Sequence, residues 1–272
     1  MKGLVDVELK QEKNSKTVIK NLLVKPPLLI QKAMYPDQCY PNTAHIYIMS
    51  SAGGILQGDK LKIKIKATEN SNAIVTTQSA TKIYNTENRV PSQNIDIIVE
   101  KNSYVEFIPK QIIPHKYAEF IQIANLKVDH SSTLVFSETI SCGRIAHGEE
   151  FDFRSLIFRT KAVNENDKVL FSDAMNIEPK QRKKIFENLY GKKKIFCTVY
   201  IISKKFDNEK LDTKINLFLK KSQIMGGVSQ LPSDSGIIVR MLSDSIDEIE
   251  RMISNITKFV KLEKSNIVTV VN

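Results

Sequence analysis

The chain has no tryptophan and only three cysteines in 272 residues. Cys39, Cys142 and Cys197 are odd in number, far apart and form no Cys-x-x-Cys pair. That argues against a disulfide framework and a structural zinc knot, and each cysteine reads as a small apolar residue. No apolar run approaches the roughly 20 residues that cross a bilayer as a helix, so no transmembrane helix is expected. The opening residues MKGLVDVELKQEK lack the apolar stretch and small-residue cleavage site of an export signal, which points to the cytoplasm. No linker rich in Gly, Pro or Ser interrupts the chain, so a single domain over 1–272 is expected.

What is present is a soluble composition, 42% hydrophobic and 26% charged, enough to bury a real core. The net charge of +10 is concentrated: residues 180–221 hold thirteen Lys or Arg against four Asp or Glu. Such a stretch is either a solvated face or a docking surface for an acidic protein or nucleic acid. It carries no RNP-like or helix-turn-helix pattern.

Period-two alternation dominates the first two-thirds. In DKLKIKIKA (59–67), Leu61, Ile63 and Ile65 alternate with lysines, the pattern of a strand with one dry face. Further β-rich runs occupy 73–77, 94–100, 104–108, 119–128, 133–140, 155–160 and 195–202. ATENSNAIVTTQ (67–78), VEKNSYVEFIPKQ (99–111) and VDHSSTLVFSET (128–139) share a polar tip with Asn or Ser followed by a β segment. Their matching positions Ala73, Tyr104 and Thr133 are near-equally spaced, as in stacked rungs of a β-helix or solenoid. An ordinary β-sandwich is the alternative. The last third is mixed. Helices are expected over 178–190, over 207–221 with Leu211, Ile215 and Phe218 on one face, and from a capping box at Ser245–Glu248. Strands are expected over 236–242 and 267–271.

Two motifs imitate active sites. Ser79-Ala80-Thr81-Lys82 spells the Ser-x-x-Lys of one class of penicillin-recognising hydrolases. That chemistry needs a helix, where the two residues share a face, but the preceding AIVTTQ is β-like, and strand positions three apart point to opposite faces. Gly53-Gly-Ile-Leu-Gln-Gly58-Asp59 resembles a phosphate loop, but Asp59 stands where its lysine belongs and a strand follows instead of a helix. The glycines are expected to serve a tight turn and close backbone packing. The four histidines are His45, His115, His130 and His147. His147 follows Cys142 and precedes Glu149, Glu150 and Asp152, and His45 follows Cys39. Imidazole, thiolate and carboxylate suit a transition ion such as nickel, yet no pair has the spacing of a preformed site.

Taken together, PPLLIQKAMYP (26–36), SSAGGILQGDKL (50–61), VTTQSATKIY (75–84), FIPKQIIPHKYAEF (107–120), CGRIAHGEEFDF (142–153) and GIIVRML (236–242) resemble the urease accessory protein family UreD, also called UreH. They follow the family's order along nearly the whole chain, with 160–230 matching less clearly. The resemblance implies a mainly β, β-helical body in which TTQSATKIY is a structural segment without an acylating serine. It implies a non-enzymatic scaffold that binds apo-urease and UreF, with the GTPase UreG supplying nickel along an internal route. No tightly bound cofactor, membrane or specific nucleic acid is implied. Weak, exchangeable ligands suit such a route. Asp59 and Glu149 are the first candidates, with turn chemistry as the alternative for both, followed by His45, His115, Cys142 and His147. A nucleic-acid-binding β protein using 180–221 and a serine hydrolase using Ser79 and Lys82 are the competing readings.

Overall fold

The structure, a computed structural model, describes residues 1–179 and 193–271. Among the described residues strand far exceeds helix, so the fold is mainly β. The strands are β1 (Lys2–Gln11), β2 (Thr17–Lys25), β3 (Leu28–Ile30), β4 (Ala44–Ser50), β5 (Lys60–Ala67), β6 (Asn72–Thr77), β7 (Thr81–Ile83), β8 (Ser92–Val99) and β9 (Tyr104–Phe107). They continue as β10 (Ile112–Pro114), β11 (Glu119–Val128), β12 (Thr133–Ser141), β13 (Ser155–Val163), β14 (Val169–Ile177), β15 (Ile195–Ser203), β16 (Met225–Gln230) and β17 (Gly236–Ser243). Among the described residues two α-helices follow β15, α1 (Asn208–Lys220) and α2 (Ile246–Val271).

The chain winds between two sheets. One runs β14-β13-β11-β8-β5-β1-β2, parallel from β1 to β13 with an antiparallel strand at each edge. The other runs β16-β17-β15-β12-β9-β6-β4-β3, parallel from β4 to β12. Parallel strands need a crossover. Here a strand of the opposite sheet supplies it, so each circuit adds one rung to a β-solenoid. A third, short face stacks β7 on β10 and Ile55 on Ile83.

The polar tips that repeat in the sequence are the corners between the sheets. Asn70 and Asn102 take positive φ there (62° and 55°), a conformation Asn tolerates better than most residues. Serines join successive corners: Ser71 N–H donates to Ser103 Oγ and Ser103 N–H to Ser132 Oγ, both at 3.1 Å. Tyr104 pairs with Thr133, as the repeat predicts, but with Asn72 rather than Ala73. The first rung is one residue longer than the repeat of Ala73 and Tyr104 predicts.

On β5 the apolar side faces inward and the lysines form ion pairs with neighbouring strands, Lys62–Asp96 (3.1 Å), Lys64–Asp6 (3.3 Å) and Lys66–Glu100 (3.0 Å). Exposed pairs of this kind contribute little each, so the buried face carries the stability. Between the sheets the core includes Phe107, Phe120, Phe136 and Phe158, with Phe107 stacked on Phe136 at 5.7 Å. A second core lies between the outer face of the β12–β15–β17 side and the helices. Strand β12 serves both, which is why all nine of its residues are buried.

Helix α1 starts at Asp207, whose carboxylate caps Lys210 N–H at 3.0 Å. It buries Leu211, Ile215 and Leu219, whereas Phe218, expected on that face, is 38% exposed and packs edge-on against Phe259. Helix α2 buries Ile249, Ile253, Ile256 and Val260 as its period requires. Its capping differs from the expected box: Ser243 Oγ accepts Ser245 N–H (3.1 Å) and donates to the Glu248 carboxylate. The strand expected over 267–271 is instead the end of α2. Once preceding turns exist, each added residue gains a hydrogen bond, which outweighs the small helix penalty of β-branched residues. The helix expected over 178–190 falls almost wholly outside the described residues.

Candidate functional site

The loop before β5 brings Gly54 against β7 and the Tyr84 beyond it. Ile55 N–H donates to Lys82 O (2.8 Å) and Tyr84 N–H to Ile55 O (3.0 Å). A Cβ on Gly54 would lie 2.6 Å from Tyr84 Cε2 and 2.7 Å from Lys82 O, so close packing explains that glycine. Gly58 turns with φ +74°. Asp59 then lies 3% exposed, its Oδ2 accepting Leu56 N–H (2.9 Å) and its carboxylate paired with the amino group of Met1.

The Ser-x-x-Lys letters straddle a corner rather than a helix or one strand. Thr76 and Thr77 end β6, Gln78 and Ser79 form the bend, and Lys82 lies in β7. Thr76 Oγ1 donates to Ile108 O (2.6 Å), Thr77 Oγ1 donates to Ser79 O (3.0 Å) and Thr77 Oγ1 accepts Lys110 N–H (2.9 Å). The small hydroxyls stitch the rung, as expected of side chains that bond nearby backbone. Ser79 and Lys82 are both exposed.

The other candidates divide into two places. His115, His147 and Glu149 lie near Arg144. Glu149 follows Gly148 (φ +71°) and is held by Arg144 Nε (2.8 Å) and Nη2 and by Lys116 N–H (3.1 Å). Hydrogen bonding from Arg144 holds its carboxyl down at about 2. The His115 ring stacks edge-on against Tyr84 (4.6 Å), with Nε2 buried and unpartnered. Burial, then Arg144, lowers its pKa. Cys142 begins the same loop, but burial and then Glu150 push its thiol up to about 11. A thiol must lose its proton to bind a metal, so Cys142 is a poor ligand near neutral pH. His45 is elsewhere, on β4, also with Nε2 buried and unpartnered and its pKa lowered by burial and then Lys261.

A polar thread absent from the sequence-based candidates crosses the solenoid interior. Gln93 Nε2 donates to Gln122 Oε1 (3.2 Å), Gln122 Nε2 to Glu138 Oε1 (2.8 Å), and Thr160 Oγ1 to the same Glu138 oxygen (3.2 Å). Glu138 lines two cavities. One of about 90 Å³ includes Gln93, Gln122, Phe107 and the Gln78–Lys82 corner. The other, about 250 Å³, includes Thr160, Asp173, Thr198, Tyr200 and Arg240. Asp173 accepts from Tyr200 OH (2.7 Å) and Arg240 Nη2 (2.6 Å). Burial raises Glu138 to about 7, against its hydrogen bonds from Gln122 and Thr160. Asp59 and Glu149 lie outside both linings. The sequence held a signal for Glu138: in TLVFSETIS it falls on the inward row of Leu134, Phe136 and Ile140, an acid among apolar positions.

Part of the basic stretch is already neutralised. Lys193 pairs with Asp244 (2.9 Å) and Lys194 with Glu150 (2.6 Å). Lys210 and Lys214 both approach Glu263 (3.9 and 3.8 Å). Residues 180–192 lie outside the described residues. No helix of the described residues is long and apolar enough to cross a membrane.

The family described as UreD urease accessory protein matches residues 1–266. Urease accessory protein UreD of Cenarchaeum symbiosum is 31% identical over 262 residues, 96% of this chain and 92% of that protein. Urease accessory protein UreD 2 of Brucella ovis is 32% identical over 235 residues, 85% of this chain and 78% of that protein. Urease accessory protein UreD of Photorhabdus laumondii is 27% identical over 241 residues, 88% of this chain and 75% of that protein.

Proposed function

The chain belongs to the UreD family of urease accessory proteins, and on that premise we propose that it is a cytoplasmic, non-catalytic scaffold for nickel insertion. In this reading it binds apo-urease together with UreF, and the GTPase UreG delivers nickel that passes through it in transit. Nickel is cargo here, with no tightly bound cofactor.

The observation that carries the reading is the Glu138 thread. A buried carboxyl that titrates near neutrality, hydrogen-bonded to Gln122 and Thr160 and lining two cavities, suits brief contact with a divalent ion. An arriving cation would displace the proton, and its departure would let the proton return, so the site need not trap the metal. Oxygen and amide ligands without thiolate favour exchange over storage. Asp59, Glu149, His45, His115 and His147 enter the reading as lesser contributors, and Cys142, its thiol pushed up to about 11, drops out of it as a ligand near neutral pH.

The test is co-purification of the chain with apo-urease and UreF, followed by nickel loading with UreG. Glu138→Gln is expected to keep the complex while lowering the nickel content and activity of the matured urease. Failure of the unaltered chain to co-purify would overturn the scaffold role. Normal nickel loading by Glu138→Gln in an intact complex would remove the interior thread from the route.

A further inference from the structure

The fourth histidine, His130, lies away from the interior thread, at the rung corner between β11 and β12. Asp129 and His130 open that corner, and Glu165 lies in the turn between β13 and β14. Strands β11 and β13 are register neighbours, with Lys127 opposite Val163, so the two turns lie side by side. His130 Nδ1 is 3.3 Å from Glu165 Oε1 and 3.6 Å from Asp129 Oδ1. One ligand atom from each of the three residues falls within 4.8 Å of the other two.

We propose that Asp129, His130 and Glu165 form a binding site for a divalent first-row transition ion, independent of the interior thread. Bonds of about 2.0–2.2 Å to nitrogen and oxygen place neighbouring ligand atoms roughly 3 Å apart, and the two separations from His130 Nδ1 are already close to that spacing. Hydrogen bonds fix both carboxylates in place. Asp129 Oδ1 accepts Ser131 N–H (2.8 Å) and Ser131 Oγ–H (2.6 Å), and Glu165 Oε2 accepts His130 N–H (3.1 Å). Ser131 Oγ also accepts Asn102 N–H (2.9 Å), which ties the corner to the preceding rung. Such outer hydrogen bonds orient metal ligands before the ion arrives. Asp129 is buried, whereas the His130 side chain is 63% exposed, which leaves an entry side.

The donor set decides the class of ion. One imidazole and two carboxylates suit Ni²⁺, Zn²⁺ or Co²⁺. The absence of thiolate from this set disfavours Cu⁺, and the imidazole disfavours Mg²⁺ and Ca²⁺. Lys101 lies within electrostatic reach of Asp129 from the neighbouring corner. The earlier corners carry Glu69 and Lys101 in the place of His130, so the set occurs at this rung and not at those two.

Isothermal titration of the full chain with NiCl₂, ZnCl₂ and MgCl₂ tests the site, alongside His130→Ala and Glu165→Gln checked for folding by circular dichroism. The unaltered chain is expected to bind one more equivalent of Ni²⁺ or Zn²⁺ than His130→Ala. Glu165→Gln should weaken that equivalent at least tenfold, with no Mg²⁺ bound there. Broadening of the His130 ring signals by Ni²⁺ in proton NMR should accompany it. Equal stoichiometry and affinity in all three proteins would reduce the trio to an ion pair. If His130→Ala failed to fold, Glu165→Gln would carry the same comparison.

Discussion

Replacing Glu138 by Gln gives a perturbation whose size follows from burial. In the unfolded chain this carboxyl titrates near its ordinary 4.5, and in the folded chain near about 7. Between those values the folded state holds a proton that the unfolded state has lost. Stability from this group is therefore fully present below 4.5 and lost as pH rises through about 7. At about 1.4 kcal/mol for each tenfold change, the gap corresponds to about 3 kcal/mol, an upper figure because the adjoining cavities have room for water that would relieve some of the desolvation. Glutamine keeps an oxygen to accept from Gln122 and Thr160 and does not ionise. The stability difference between the two proteins should shift by up to about 3 kcal/mol from pH 4.5 to pH 8, in favour of Glu138→Gln at the alkaline end. His45 and His115, whose pKa values are lowered in both proteins, largely cancel in the difference. Urea unfolding at both pH values measures it, provided the slopes match. A difference that does not change with pH would show that Glu138 is ionised and well solvated in the fold, and the exchangeable-proton argument would fall with it.

Gly54→Ala should destabilise by roughly 1–3 kcal/mol in thermal or urea unfolding, because the new Cβ meets Tyr84 and the Lys82 carbonyl at under 3 Å. An unchanged midpoint would mean that the loop before β5 shifts freely. Ser79→Ala should leave urease maturation intact, and an acylating fluorescent probe should not label Ser79; a stable adduct there would revive the hydrolase. Neutralising lysines in 180–194 should change nothing in a DNA or RNA mobility assay at physiological salt, since no specific complex is expected; a salt-sensitive complex lost on neutralisation would restore the nucleic-acid reading.

Much of the solenoid was legible because its units are local. The alternation of β5 and the polar corners at 68–72, 100–103 and 129–132 record face and rung directly in adjacent residues. What was hidden depends on register between distant segments. Gln93, Gln122, Glu138 and Thr160 meet only when four strands stack, and no local pattern joins them. Asp129, His130 and Glu165 likewise meet across a strand pair. The β-branched end at 267–271 misled for the opposite reason: its local preference was clear, but it was too small to stop a helix already formed.

Asp59, Glu149 and Glu138 can be ranked by what a passing ion must displace. To bind Glu149, a cation must compete with Arg144 and Lys116 for a carboxylate held down at about 2. To bind Asp59 it must compete with the Met1 amino group and Leu56 N–H inside a buried turn. Removing either side chain leaves a partner group unsatisfied, so the expected cost is in the turn itself, on the order of 1–3 kcal/mol. At Glu138 the displaced group is a proton held near neutrality, and the hydrogen bonds from Gln122 and Thr160 can remain. Nickel content of matured urease should therefore fall more for Glu138→Gln than for Asp59→Ala or Glu149→Ala, once each variant is compared at equal folded fraction. Deeper nickel loss in the Asp59→Ala, Glu149→Ala double variant, with the complex intact and the midpoint unchanged, would move the route out to the two glycine turns.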